Sequence, residues 1–210
     1  MEWLKQISDS LQKGDFKEVP KLIQGALDAG IIPSKILSDG LVAGMDVVGE
    51  KFRCDEIFMP EVLISAKAMQ AGMDVLRPKL IETGVKLAGK VALGTVKGDL
   101  HDIGKNLVGM LLEGAGFQVI DLGIDVPIDQ IVTAVKSNQP NILGLSALLT
   151  TTMPVMKAVI ESLIEAGVRS GVKVMVGGAP VTEKYSKDIG ADGYAPDASS
   201  AVIKARELIG

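Results

Sequence analysis

Several residue types are scarce in this chain of 210 residues, and each scarcity argues against a class of protein. The single cysteine, Cys54, cannot form an internal disulfide. Aromatic residues make up 3% of the chain, which leaves no stacking platform for nucleic-acid bases. The net charge is −4 and there is no dense run of lysine or arginine, so nucleic acid is not an expected partner. No run of about 18 apolar residues occurs, so no membrane-spanning helix and no membrane partner are expected.

The N-terminal residues do not look like an export signal. They include Glu2 and Asp9 and have no long apolar core, so we expect a cytoplasmic protein. Apolar residues make up 47% of the chain and there are 24 glycines, as in compact α/β proteins. The length allows one large domain or two small ones.

The spacing of apolar residues predicts four helices and, because their connections are short, an antiparallel bundle over residues 1–84. Asp15 and Glu18 form a capping-box pattern for the second helix, although Pro20 leaves open a start near that proline. Gly40 and Gly44 lie four residues apart and would let another helix approach closely. The predicted helices cover about residues 3–13, 15–29, 33–52 and 60–80.

After a predicted linker at 85–89, the pattern changes to alternating strands and helices over residues 90–210. Such βα units predict a doubly wound, five-stranded parallel sheet of flavodoxin-like (Rossmann-type) order with flanking helices. The predicted strands are 91–96, 117–122, 142–146, 172–176 and a short one near residue 194. The predicted helices are 103–115, 128–137, 153–166, 181–189 and 199–209.

The only histidine, His101, lies between the first strand and the helix that follows it. This places it at the carboxyl edge of the sheet, where open α/β sheets bind ligands. Asp99 could hold one ring nitrogen and leave the other free to ligate a metal. From the residues alone, the alternatives stay open that His101 has no special role and that Asp99 forms a turn.

Three motifs in order make the chain resemble a known family. Asp99-x-His101-x-x-Gly104 is followed after 41 residues by Ser146-x-Leu148, and after 28 more by Gly177-Gly178. This arrangement is similar to that of the cobalamin-binding domain of corrinoid-dependent methyltransferases. The chain resembles the corrinoid proteins of methylamine, methanol and methoxy-aromatic systems and the cobalamin-binding module of methionine synthase, over residues 1–205.

The resemblance implies a cobamide bound base-off and His-on, with His101 as the ligand to cobalt. Asp99 would accept the hydrogen bond from the other ring nitrogen, and Thr152 would complete a relay, although Thr150 and Thr151 could compete for that role. Proton uptake by the Asp99–His101 pair would offset the changing charge at cobalt. The cofactor contacts that the resemblance implies in this domain are Gly98, Asp99, Leu100, His101, Asp102, Ile103, Gly104, Ser146, Leu148, Thr150, Gly177, Gly178 and Ala198.

The same resemblance implies that the helical bundle caps the cofactor. Phe52, Met59 and Val62 would cover its upper face, whereas helical spacing alone favours ordinary bundle core for them. Ser38 stands where the methionine synthase module has an acid, which puts a polar contact from the cap in doubt. Cys54 is interpreted as an incidental thiol, because no zinc-like Cys/His set surrounds it.

The function that the resemblance implies is methyl transport. A donor-specific methyltransferase would methylate cobalt(I), and an acceptor methyltransferase would pass the methyl group from methyl-cobalt(III) to tetrahydrofolate or a thiol coenzyme. A reductive activator would rescue cobalt(II). The chain would thus be a carrier that is not catalytic alone. The alternatives are a cobalamin-dependent sensor, the cobalamin subunit of an adenosylcobalamin mutase, and a flavodoxin-like protein without a cofactor.

Overall fold

The computed structural model describes residues 2–84 and 87–210, which form two compact units. Among the described residues, one unit comprises 2–84 and 87 with 113–116, and the other 88–112 with 117–210. The predicted linker, 85–89, includes residues 85 and 86, which lie outside the described residues. No helix among the described residues is long and apolar enough to cross a membrane.

The first unit is helical, and its buried core includes Ile7, Leu11, Ile23 and Leu41. Its α-helices are α1 (Glu2–Gln12), α2 (Glu18–Asp28), α3 (Pro33–Lys35), α4 (Ala43–Arg53) and α5 (Met59–Glu82). A π-helical segment, Ile36–Val42, joins α3 to α4. The third predicted helix, 33–52, is therefore present over its whole length, and the π-helical segment near its start was not predicted.

Close approach at the two glycines of the third predicted helix is confirmed. A β-carbon on Gly44 would lie 3.2 Å from the Cα and carbonyl oxygen of Ser8, and one on Gly40 would lie 3.2 Å from Ile7. Because a glycine has no side chain, α1 can pack with its backbone against this helix.

The second helix begins at Glu18, so the capping-box prediction was wrong in detail. Asp15 Oδ1 accepts a hydrogen bond from the Glu18 amide at 3.0 Å, but Glu18 is the first helical residue and not the third. Pro20 lies in the first turn, where backbone amides have no partner within the helix, and therefore does not interrupt the helix.

The second unit is a five-stranded parallel sheet in the order β2-β1-β3-β4-β5, so the flavodoxin-like prediction is confirmed. Its strands are β1 (Lys90–Thr95), β2 (Gln118–Asp121), β3 (Ile142–Ser146), β4 (Lys173–Gly177) and β5 (Gly193–Ala195). Its helices are α6 (Ile103–Gly114), α7 (Ile128–Asn138), α8 (Met153–Glu165), α9 (Glu183–Asp188) and α10 (Ala198–Ile209). A short 3₁₀ turn, Arg169–Gly171, was not predicted.

The strand register brings small residues together at the carboxyl edge of this sheet. Thr95 pairs with Ser146, Ser146 with Gly177, and Gly177 with Ala195. The central strands are buried apolar runs, as expected where helices cover both faces of a parallel sheet. The candidate site residues of this unit consequently lie at the last positions of the strands and in the loops that follow them at this edge.

Candidate functional site

The loop from β1 to α6, residues 96–102, presents the motif around His101. Gly98, Leu100, His101, Asp102, Ile103 and Gly104 are exposed, whereas Asp99 is completely buried. Gly98 has φ +86°, a conformation that glycine adopts without strain. Thr95 Oγ1 donates a hydrogen bond of 2.8 Å to the carbonyl of His101, so the end of β1 fixes the far side of the loop.

Asp99 holds the imidazole of His101. Its Oδ1 lies 2.6 Å from Nδ1 of the ring and accepts a second hydrogen bond from the His101 amide at 3.1 Å. A carboxylate at Nδ1 favours the tautomer with the proton there, which leaves a lone pair on Nε2. The His101 side chain is 50% exposed, and within residues 2–84 and 87–210 Nε2 has no hydrogen-bond partner. The ring is thus fixed on one side and open on the other.

The other carboxylate oxygen of Asp99 is bound by the loop that follows β3. It accepts hydrogen bonds from the Leu148 amide at 2.7 Å, the Leu149 amide at 3.3 Å and the Thr152 hydroxyl at 2.7 Å. Burial by itself raises the pKa of Asp99, but the hydrogen bonds from His101, Leu148 and Thr152 outweigh it and hold that pKa far below its usual range. Asp99 is therefore a buried carboxylate at neutral pH.

Of the three consecutive threonines, Thr152 binds Asp99. Thr152 is buried, whereas Thr150 and Thr151 are exposed. The Thr152 hydroxyl also lies 2.9 Å from the Leu149 carbonyl, which gives its single proton a second possible acceptor. Thr152, the residue that the resemblance implied for this role, therefore makes the hydrogen bond to Asp99. Thr150 lies two residues earlier on the same loop.

The glycines of the motifs have different surroundings. A β-carbon on Gly178, which has φ +126°, would lie 1.9 Å from the Ala147 carbonyl, and one on Gly177 would lie 2.9 Å from the Ala195 carbonyl. These two glycines are required by packing of the protein's own backbone. Gly104 differs, since nothing lies within 4 Å of a β-carbon placed there.

Exposed apolar side chains occur on the two loops that meet at Asp99. Leu100 and Ile103, close to His101 in the chain, are each 68% exposed, and Leu148 of the loop after β3 is 41% exposed. Exposed leucine and isoleucine side chains on the loops of one sheet edge are typical of a site for a large, partly apolar molecule. Ser146, which is half-buried, ends β3, and Ala198, which is buried, begins α10 after β5.

The three cap residues do not share one environment. Val62 is completely buried in the helical unit and so occupies a core position. Phe52 is half-buried and Met59 is exposed. Ser38 lies exposed in the π-helical segment, with its hydroxyl 2.6 Å from Asp39 Oδ1. Cys54 is exposed, and a hydrogen bond with Glu50 raises the pKa of its thiol, so Cys54 is not an activated nucleophile.

Sequence reasoning missed Thr95, Lys97 and Asp125. Asp125 lies in the loop from β2 to α7, and its Oδ1 accepts a hydrogen bond of 2.7 Å from the Gly98 amide. The available signal was the sequence Gly123-Ile124-Asp125-Val126-Pro127, in which an aspartate between a glycine and a proline is typical of a tight turn. That signal does not reveal which loop the carboxylate binds.

The donor set fits a cobamide. No three His, Cys, Asp or Glu side chains among the described residues are placed to hold a bare metal ion. A single open imidazole nitrogen, fixed from behind by a carboxylate, suits a metal whose other ligands come from a macrocycle. The open space at Gly104 and the exposed apolar side chains of Leu100 and Ile103 suit the macrocycle itself.

A flavodoxin-like domain with a carboxylate-backed histidine at the carboxyl edge of its sheet, preceded by a helical unit, defines the class of corrinoid-binding proteins. A family model described as B12 binding domain matches residues 89–203, and a second model of the same description matches residues 3–77. The chain belongs to this B12-binding family.

Relatives of known name support this assignment along the whole chain. The trimethylamine corrinoid protein of Methanosarcina barkeri is 44% identical over 99% of this chain and 97% of its own length. A dimethylamine corrinoid protein of Methanosarcina mazei is also 44% identical, again over 99% of this chain and 97% of its own length. No relative named here supports the sensor or mutase alternatives.

Solved structures agree with the fold. A chain in the methanol:cobalamin methyltransferase complex of Methanosarcina barkeri matches with a TM-score of 0.87 and 34% identity, over 99% of this chain and 80% of that one. A cobalamin-binding protein from Desulfitobacterium hafniense matches with a TM-score of 0.81 and 33% identity, over 99% of this chain and 98% of that one.

Proposed function

We propose that this chain binds a cobamide through Nε2 of His101 and carries methyl groups between partner methyltransferases. The observation that supports it best is the contact of 2.6 Å between Oδ1 of buried Asp99 and Nδ1 of half-exposed His101, since the other ring nitrogen, Nε2, has no hydrogen-bond partner among the described residues. When bound, the cobamide would supply a cobalt ion that can take up a methyl group and give it up.

Asp99 is proposed to keep Nε2 ready as a ligand. Because its carboxylate is buried and lies 2.6 Å from Nδ1, it favours the proton on Nδ1. The lone pair of Nε2 then stays available for cobalt, and the position of the ring is fixed by Asp99.

Thr152 is proposed to adjust the protonation of this pair. Its hydroxyl donates to Asp99 Oδ2 at 2.7 Å and has a second acceptor in the Leu149 carbonyl at 2.9 Å. If a proton reaches Asp99 Oδ2, the hydroxyl can turn its own proton towards Leu149 and accept from Asp99. A threonine or serine is needed for this exchange, since it requires one group that both donates and accepts.

Residues around His101 would hold the macrocycle. We propose that Gly104 leaves room for it and that Leu100, Ile103 and Leu148 pack against it. The other proposed contacts are Gly98, Asp102, Ser146, Thr150, Gly177, Gly178 and Ala198. The capping role of Phe52 and Met59 stays a prediction, and the complete burial of Val62 supports a core role for that residue.

The partners are proposed to be a donor-specific methyltransferase, an acceptor methyltransferase and a reductive activator. The names of the relatives at 44% identity support a methylated amine as the methyl source. The solved methyltransferase complex supports docking of a methyltransferase on a chain of this kind, since one chain of that complex matches 99% of the present chain.

The proposal is tested by reconstituting the purified chain with hydroxocobalamin, removing excess, and recording its absorbance before and after reduction and then after addition of methyl iodide. A bound corrinoid that is reduced and then methylated supports the carrier function. In the cobalt(II) state of 15N-labelled protein, 15N splitting of the spin-resonance signal should be present in the wild type and absent in His101→Gly, where any splitting must come from the unlabelled base of the cofactor. Asp129→Asn, a change on an exposed residue of α7, is the control. Uptake of no corrinoid, or unchanged 15N splitting in His101→Gly, would contradict the proposal.

A further inference from the structure

The loop between β2 and α7, residues 122–127, holds the histidine loop through a second carboxylate. Asp125 Oδ1 accepts a hydrogen bond of 2.7 Å from the Gly98 amide, and the Asp125 amide donates one of 3.0 Å to the Asp99 carbonyl. Lys97 Nζ lies 3.0 Å from each carboxylate oxygen of Asp125. One aspartate therefore contacts three consecutive residues that lead to His101.

The backbone of Asp125 is itself unusual, with φ +50°. Only a few per cent of residues other than glycine adopt such a conformation, and aspartate and asparagine tolerate it best. Strained backbone persists where surrounding contacts hold it, and it is concentrated near functional sites. Here the contacts that hold it are the hydrogen bonds to Gly98 and Asp99.

The same loop is tied to the other side of the histidine loop. Lys105 lies four residues after His101, just as Lys97 lies four residues before it. The Lys105 side chain is only 4% exposed. Its Nζ lies 2.6 Å from Oδ1 of Asp121, the last residue of β2, and that oxygen also accepts from the Gly123 amide at 2.9 Å. Because a buried lysine requires a partner, this ion pair holds the start of α6 against the end of β2.

We propose that Asp125 is a positioning residue for His101, and that its hydrogen bond to Gly98 sets the geometry in which Asp99 meets the imidazole. The chain Asp125–Gly98–Asp99–His101 is short, so a shift of the Gly98 backbone is passed directly to Nδ1. That the ligand of His101 is a cobamide rests on the proposed function. The effect of Asp125 on the Asp99–His101 contact does not rest on it.

Substitutions can separate the carboxylate from the backbone conformation. Asp125→Asn keeps the positive φ and an acceptor oxygen but loses the charge. Asp125→Gly keeps the positive φ and loses the acceptor. Lys97→Met removes the ion pair and leaves the bond to Gly98. Asp129→Asn, four residues further on and exposed, removes the same charge without touching the loop.

The first measurement uses the chain without cofactor. Its single histidine gives one set of ring signals in NMR, so the Nδ1–H resonance reports the Asp99–His101 contact without overlap. Hydrogen exchange of the Gly98 amide reports the bond to Asp125. We expect the Nδ1–H shift and the exchange rate to change most in Asp125→Gly and less in Asp125→Asn. In Lys97→Met and Asp129→Asn both should stay as in the wild type.

The second measurement is hydroxocobalamin affinity by absorbance titration. Loss of an outer partner of a metal-ligating histidine typically costs 10–100-fold in metal affinity, so we expect a loss of about tenfold in Asp125→Gly. If Asp125→Gly does not fold, the comparison is made with Asp125→Asn, because an amide oxygen is a weaker hydrogen-bond acceptor than a carboxylate oxygen. The inference would be overturned if the folded Asp125 variant kept the wild-type Nδ1–H shift and Gly98 exchange rate. It would also be overturned if Asp129→Asn changed them by as much as the Asp125 variant does. A wild type that binds no hydroxocobalamin would instead overturn the proposed function, and the NMR comparison would still decide the role of Asp125.

Discussion

The hydroxyl of Thr152 donates to Asp99 Oδ2 over 2.7 Å, although the two residues are 53 positions apart in the chain. Thr152 directly precedes α8, and Asp99 lies in the loop after β1. Their contact exists because β1 and β3 are neighbours in the sheet, so the loops that follow these strands meet at one edge. A relay that begins at His101 is therefore completed by a residue on another loop.

We expect Thr152→Val to destabilise the folded chain by about 1.5–3 kcal/mol, the usual contribution of a hydrogen bond to a charged group. Thr152→Ser keeps the hydroxyl and should stay within about 1 kcal/mol of the wild type, since it loses only one methyl group. Urea unfolding of the two variants without cofactor measures the difference. Equal midpoints for Val and Ser would show that the hydroxyl contributes nothing to stability.

Acid should destabilise the chain partly through Asp99. The pKa of this carboxyl is held well below its unfolded value of about 3.9. At low pH the unfolded state therefore binds the proton first, so this part of the stability is present above about pH 4 and is lost as the pH falls towards the folded pKa. Asp99→Asn should be less stable than the wild type at pH 7, and the gap should narrow below pH 4. Free energies of unfolding between pH 7 and pH 3 test this, and a gap independent of pH would contradict it.

The two kinds of motif glycine should respond differently to alanine. Gly178→Ala places a β-carbon 1.9 Å from the Ala147 carbonyl at φ +126°, so we expect a large loss of stability, visible as a lower midpoint in urea. Gly104→Ala adds a methyl group to open space in the first turn of α6 and should leave stability unchanged or raise it by up to about 1 kcal/mol.

If the macrocycle occupies that space, Gly104→Ala should lower hydroxocobalamin affinity. Unchanged affinity would place the cofactor elsewhere.

A stability measurement can also settle the role of Val62. Because Val62 is completely buried, we expect Val62→Ala to lower the free energy of unfolding by about 1–3 kcal/mol. Met59→Ala, at an exposed position, should change it by less than about 0.5 kcal/mol. Thermal or urea unfolding without cofactor compares them. A negligible cost for Val62→Ala would favour the cap role that the resemblance implied.

The amino-acid sequence by itself determined the order and type of nearly all the helices and strands, the flavodoxin-like sheet, and the loop that presents His101. These features depend on apolar periodicity and turn residues within a few positions of one another, so they can be read locally. The Asp99–His101 pair is local as well, because the two residues are two positions apart.

Only the tertiary structure decided which threonine reaches Asp99, that Val62 is buried, that Gly177 and Gly178 pack against backbone, and that Asp125 binds Gly98. The π-helical segment at Ile36–Val42 belongs to the same group, since Gly40 within it packs against Ile7 of α1. Each of these depends on which distant segments meet, and no pattern along the chain records that. Sheet order and packing bring those segments together, and the site is completed where they meet.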